Sequence, residues 1–252
     1  MENHTSYKEL ILLGKRTSEA LDSILQKAVE IEEPGLRIDF LSRHFLETPY
    51  QDSTLIGDIN KQEVFVINLE GVDCFTFLDY VESMRQSSSF QEFKEKLKRV
   101  RYQGGEVSFK KRNHFFTDWI EYDSSFVEDV TELIGGKKAI SVKKLLNEKE
   151  DGTFSLLGIQ PRERIIHYIP AIAIDDLIIN ELRTGDYVGL YSIKRGLDVS
   201  HVGIFIKEKN NIYLRHASSL ENHRKVVNQD FKEYIAEKPG IIVFRSRKQH
   251  LT

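Results

Sequence analysis

Two kinds of apolar spacing divide the chain. Over residues 6–33 apolar positions recur every three or four residues, at Leu10, Leu13, Leu21, Ile24, Leu25, Ala28, Val29 and Ile31. That period predicts a helical N-terminal segment, closed by Pro34-Gly35. A second helix is predicted over residues 38–46, ending before Thr48-Pro49 because the residue ahead of a proline avoids helical backbone. Val64–Asn68 reads as a short strand. Asp73 stands where a helix cap belongs, ahead of Cys74–Arg85, whose Phe77, Leu78, Val81 and Met84 fall on one stripe. Residues 88–101 give a further helix behind a serine-rich cap.

In the last third the pattern changes to that of strands. Strands are predicted at residues 167–173 and 186–192. Residues 202–206 and 212–216 form a hairpin around Lys207-Glu208-Lys209-Asn210-Asn211, and a short helix (230–236) precedes a final strand (241–244). Residues 121–164 receive no element. Helices first and antiparallel strands later predict an α+β fold. No repeat, low-complexity tract or Pro/Gly/Ser-rich linker interrupts the chain. Residues 1–252 are therefore expected to form a single domain, with 1–35 as a helical N-terminal extension.

Composition narrows the function classes. Apolar residues make up 40% and charged residues 30%, enough to build a core and too apolar for a disordered chain. Lys+Arg 36 against Asp+Glu 39 leaves a net charge of −3, so no basic excess drives binding to nucleic acid. No window approaches the ~18 consecutive apolar residues of a membrane span, so no membrane insertion is expected. The first residues carry no basic n-region, and Leu10-Ile11-Leu12-Leu13 is too short for a signal core. The compartment stays open: cytoplasmic if Met1 is the native start, periplasmic if a signal has been removed.

The single cysteine, Cys74, excludes an intramolecular disulfide and a multi-cysteine zinc site. A lone cysteine is commonly a small buried hydrophobe. Here it follows a predicted cap, so it falls in the first helical turn, where the macrodipole and free N–H groups favour a thiolate. The apolar stripe behind it would bury the helix and fix the sulfur. Downstream, if the hairpin loop centres between Glu208 and Lys209, residues whose numbers sum to 417 pair. His201 then lies opposite His216, Gly203 opposite Leu214 and Phe205 opposite Ile212. Side by side, the two histidines suit a base and its orienting partner. They suit equally two hydrogen-bonded sheet residues, and a one-residue shift of register would part them onto opposite faces.

These residues resemble the NlpC/P60 superfamily of papain-like cysteine peptidases and amidases. The carriers, in order, are Pro49-Tyr50, Asp73-Cys74, Gly185-Asp186, His201-Val202-Gly203-Ile204 and His216-Ala217-Ser218, spread over residues 36–245. Within that superfamily the chain is most similar to the DUF1460 family of N-acetylmuramoyl-L-alanine amidases. There the resemblance rests on Phe45-Leu46-Glu47-Thr48-Pro49-Tyr50, Thr54-Leu55, Asn68-Leu69-Glu70-Gly71-Val72-Asp73-Cys74 and Arg112-Asn113-His114-Phe115-Phe116-Thr117-Asp118-Trp119. The Cys-Ser-Gly of common NlpC/P60 members is absent, since Phe75-Thr76-Phe77 follows Cys74. That favours the amidase branch over γ-D-glutamyl–diamino acid endopeptidases.

The resemblance implies a papain-like sheet packed on a helix that carries the nucleophile Cys74. His201 would be the general base, His216 its orienting partner, and Tyr50 would lie beside the sulfur. Asp73, Arg112, Asn113, His114, Asp118 and Trp119 join Tyr50 as expected substrate-binding residues. The lone Trp119 would stack on a sugar face, or else pack in the core while Asp118 caps a helix. The implied substrate is a peptidoglycan fragment bearing 1,6-anhydro-N-acetylmuramic acid, cut at the lactyl–L-alanine amide by a monomer with no cofactor and no metal. A zinc amidase built on His114, His201 and His216 lacks a preorganised His-Glu-x-x-His pair. A non-catalytic muropeptide-binding module and the γ-D-glutamyl endopeptidase complete the alternatives.

Overall fold

The computed structural model describes residues 7–248; residues 1–6, with the expected helix start at Ser6 and most of the N-terminal signal reading, and 249–252 lie outside it. The chain opens on a strand, β1 (Lys8–Leu12), not on a helix. Leu10 and Leu13 have helical spacing, but Gly14 adopts φ +64 and breaks the run, and β1 pairs in parallel with β2 (Val64–Asn68). The expected N-terminal helix survives only as α1 (Ser18–Val29), capped by Thr17 and burying Leu21, Leu25 and Ala28. Pro34-Gly35 begins a helix where it was expected to end one. In α2 (Pro34–Arg43), proline takes the first position, where its missing N–H costs nothing, and the Glu33 carboxylate accepts the Leu36 N–H at 2.9 Å.

The next two helices match the reading. In α3 (Cys74–Arg85), the Asp73 carboxylate accepts from Phe75 and Thr76 N–H at 2.9 and 2.7 Å, and the Thr76 hydroxyl accepts the Asp73 N–H at 3.1 Å, closing a capping box. Every residue from Thr76 to Arg85 is buried, not one stripe alone. The polar ones are paired: Asp79 with Arg101 at 2.8 Å, and Glu82 with Arg85 at 2.6 Å. Helix α4 (Phe90–Arg101) starts from a Ser89 cap.

Residues 102–182 then add α5 (Asp118–Tyr122), β3 (Val127–Asp129), α6 (Thr131–Gly135), β4 (Ile140–Leu146), β5 (Arg162–Pro170) and α7 (Asp176–Glu181). The tract 121–164 thus holds β3, α6, β4 and the start of β5, with residues 147–161 a loop between the last two. The strand expected at 167–173 is the end of β5, which stops at Pro170. The chain closes with β6 (Tyr187–Tyr191), β7 (Val199–Glu208), β8 (Asn211–Ala217), β9 (Val226–Asp230), α8 (Phe231–Ile235) and β10 (Gly240–Ser246).

The main sheet runs β4-β5-β10-β6-β7-β8-β9, with β3 added to β10, and its pairs are antiparallel. Alternation along β7 sorts its two faces: Val202, Ile204 and Ile206 pack in the core shared with α1–α4, while Phe205 meets Leu214 and Phe231 on the other side. The result is the mixed α+β architecture expected. Among the described residues, no helix is long and apolar enough to cross a membrane.

The β7–β8 register corrects the hairpin arithmetic. Ile204 faces Arg215 and Glu208 faces Asn211, so pairs sum to 419, and the turn is Lys209-Asn210 with Lys209 at φ +53. The shift is two residues, an even number, so His201 and His216 keep one face and become diagonal instead of direct neighbours.

Candidate active site

Cys74 is the first residue of α3, and the backbone N–H groups of Val202, Cys74 and Phe75 lie toward its sulfur and favour its charged form. The helix start does not produce the expected thiolate. Burial and the neighbouring Asp73 carboxylate push the thiol up to about 12. Cys74 and His201 line one small cavity of about 150 Å³ with Phe75, His114 and Asp198. Ser200 bulges from β7 opposite Leu190-Tyr191, just before His201.

His201 Nε2 lies 2.7 Å from His216 Nδ1, with the rings nearly perpendicular, and His216 Nε2 lies 2.6 Å from Gln229 Oε1. Burial drives both imidazoles to the neutral form, His201 down to about 3 and His216 to about 4; His216 and Lys238 lower His201 further, and the Gln229 bond raises His216 against burial and His223. At neutral pH the resting pair is therefore a thiol and a neutral imidazole.

Two tyrosines flank the pair. Tyr50 is held by its N–H to the Arg224 carbonyl at 2.8 Å, under the Arg224 guanidinium at 4.9 Å. Its hydroxyl, bonded to Asp52, lies within electrostatic reach of the sulfur and is held protonated by burial. Tyr234 of α8 stands over His216 at 4.7 Å and over His201 at 6.3 Å. Tyr234 and Gln229 escaped the sequence reading. The even hairpin offset and the strand β9 are the signals that place them, and neither is local.

Of the segment 112–119, His114, Phe115 and Phe116 line the cavity, and Arg112, Asn113, Asp118 and Trp119 do not. Arg112 is bound to Glu63 at 2.5 Å, and Asn113 donates to the Val100 carbonyl at 2.9 Å. Asp118 accepts the His114 and Phe115 N–H groups and pairs with Arg164 at 2.8 Å. Trp119 is 0% exposed, inside a ring of Phe75, Phe116, Phe126 and Tyr187. Sugar stacking by Trp119 and ligand contact by Asn113 and Asp118 are replaced by core packing and loop bracing. The Asp73 carboxylate is likewise spent on its cap. His114, braced by Asp118, donates from Nε2 to the Phe109 carbonyl at 2.8 Å, and burial lowers it to about 4. Among the described residues, no group of three His, Cys, Asp or Glu side chains is arranged to hold a metal ion.

Against known proteins, residues 40–241 match the model of the AmiA-like, N-acetylmuramoyl-L-alanine amidase-like family. The chain belongs to that family. A DUF1460-family protein of Legionella pneumophila shares the fold of this AmiA-like chain at TM-score 0.76 and 23% identity, covering 91% of this chain and 94% of its own. An N-acetylmuramoyl-L-alanine amidase from Bacteroides uniformis superposes at TM-score 0.69 and 24% identity, over 85% of this chain and 99% of its own. A proposed xylanase from Bacteroides fragilis gives 0.63 and 26%, over 81% and 98%. No curated protein matches the sequence. As an amidase-like chain it is a hydrolase by family, and its mixed sheet-and-helix fold is theirs.

Proposed function

We propose that this AmiA-like chain is a cysteine-dependent amidase of the papain-like NlpC/P60 type, with residues 1–252 as one catalytic domain. Its substrate is a peptidoglycan fragment, GlcNAc-1,6-anhydro-MurNAc-peptide, cut at the N-acetylmuramoyl–L-alanine amide. The observation that carries the reading is the meeting of Cys74, at the head of α3, with the hydrogen-bonded His201–His216 pair in one cavity. His201 takes the thiol proton as sulfur attacks the lactyl carbonyl. The Cys74 N–H, in the first helical turn, donates to the oxyanion. Collapse expels the L-alanine amine, which takes the proton from His201 and leaves a thioester. Water, deprotonated by the same imidazole, then cleaves the thioester to the lactyl carboxylate and regenerates the thiol. Tyr50 and His114 flank the acyl group.

A glycosidase reading, suggested by the name of the Bacteroides fragilis protein, calls for two opposed carboxylates. Asp198 lines the cavity, but its oxygens accept from Thr117 and Val199. The cleft chemistry therefore supports acyl transfer to sulfur. Incubation with the anhydro-muropeptide, read by mass spectrometry beside Cys74→Ala, tests this. Free stem peptide and disaccharide are expected from the wild type alone. A cut inside the peptide would move the chain to the γ-D-glutamyl endopeptidases, and tight binding without a cut would make it a binding module.

A further inference from the structure

We propose that Gln229 is a positioning residue that sets the proton arrangement of both histidines and so makes His201 a base toward Cys74. The inference rests on the cysteine reading above and adds a residue to it.

The register places Gln229. His216 faces Val227 across the β8–β9 pair, and Gln229, two residues further along β9, returns to the same face. Its Oε1 lies 2.6 Å from His216 Nε2. A carbonyl oxygen only accepts, so the proton of neutral His216 sits on Nε2 and leaves Nδ1 bare. That bare nitrogen accepts the proton on His201 Nε2 at 2.7 Å. His201 Nδ1 then carries the lone pair. One amide orientation thus sets two tautomers in series. His216 is 0% exposed, which limits the access of bulk water to its ring.

The choice of an amide over a carboxylate has its own logic. The amide bond raises the proton affinity of His216 against burial, but as a neutral acceptor it does so less than a carboxylate, which would hold a proton on the pair and take the base away near neutrality. The other groups facing the pair are Tyr234 from α8, Lys238 beyond it, His223 from the β8–β9 loop and Cys74 from α3. Lys238 and His223 oppose protonation and so offset the pull of the Gln229 bond toward imidazolium.

The test needs no muropeptide. Cys74 alkylation by iodoacetamide is followed against pH in wild type, Gln229→Met and Gln229→Glu, and nitrogen-15 imidazole NMR reads the histidine tautomers. The wild type is expected to show His216 protonated at Nε2 and bare at Nδ1. Gln229→Met, similar in length but without the acceptor, is expected to mix the tautomers and slow alkylation at pH 7 by about tenfold or more. Gln229→Glu is expected to keep the tautomer and move the acid limb of the alkylation profile to higher pH. A wild-type His216 protonated at Nδ1 overturns the proposal even if the Met variant fails to fold. So does a Met variant with the wild-type profile and tautomer. Because these readouts concern only the resting protein, failure to cleave muropeptide would sink the amidase reading and leave this one to be judged separately.

Discussion

At the scale of single residues, the structure separates side chains that line the cavity from those that hold them. Trp119 belongs to the second group: its indole is packed edge-to-face against Phe126 and Tyr187 at 5.4 and 5.3 Å. Trp119→Phe is expected to lower unfolding free energy by about 1–3 kcal/mol, the usual cost of a core volume loss, while leaving KM for muropeptide within about twofold. A variant of unchanged stability with a raised KM would put the indole back at the ligand. The place of Cys74 at a helix start, and of His201 and His216 on one sheet face, was legible in the sequence because a cap and strand periodicity are local signals; their proposed roles came from the family resemblance. Arg112, Asn113, Asp118 and Trp119 stood out equally as a polar-aromatic cluster. Nothing local distinguishes a ligand-facing arginine from one neutralised by Glu63, which lies 49 residues away.

At the scale of elements, α3 shows how Cys74 is held in place. Glu82 is 0% exposed and accepts from Arg85, Gln86, the Tyr187 hydroxyl of β6 and the Ser246 hydroxyl of β10, at 2.6 to 2.9 Å. The helix is thereby bolted to two strands two turns below the sulfur. Removing one partner of such a pair strands a buried charge. Glu82→Leu is expected to cost about 3–5 kcal/mol in urea unfolding, and Glu82→Leu with Arg85→Met to recover most of it. A single-variant loss under about 1 kcal/mol would show that the bolt carries little. The apolar stripe of α3 was readable; its buried polar side was not, because the partners come from β6 and β10. The same distance dependence explains the other misses. Helices α3 and α4 carry their own caps and were placed closely. Strand β1 needs β2, 56 positions on, to exist as a strand, and β4 and β9 sit at sheet edges with weak alternation of their own. The hairpin was found but slipped by two residues, since a five-residue polar stretch does not say which two of its members turn.

At the scale of the whole molecule, the sheet and the helices on its two faces enclose three imidazoles in neutral form: His114, His201 and His216. Each has a folded-state affinity for protons below its unfolded one, near 6.5. Above pH 6.5 neither state binds the proton and the groups do not affect stability. Below it the unfolded chain takes up protons that the folded chain refuses, so each histidine progressively destabilises the fold as pH falls, down to about 4 for His114. His114 is the one to isolate, because it braces the cavity wall through the Phe109 carbonyl without being part of the His201–His216–Gln229 series. Comparing the wild type with His114→Gln cancels the carboxylates and the other histidines, which titrate in both. Between pH 6.5 and 4 the wild type is expected to lose roughly 1 kcal/mol per pH unit relative to the variant, with no difference in slope from pH 7 to 9. Urea unfolding at half-unit intervals measures it. Parallel stability curves across the acid range would mean that His114 takes a proton in the folded state as easily as in the unfolded one, and that the cavity wall it braces is wet. A converging pair would mean that the fold keeps this wall dry, and would tie the neutral state of the site to the packing that encloses it.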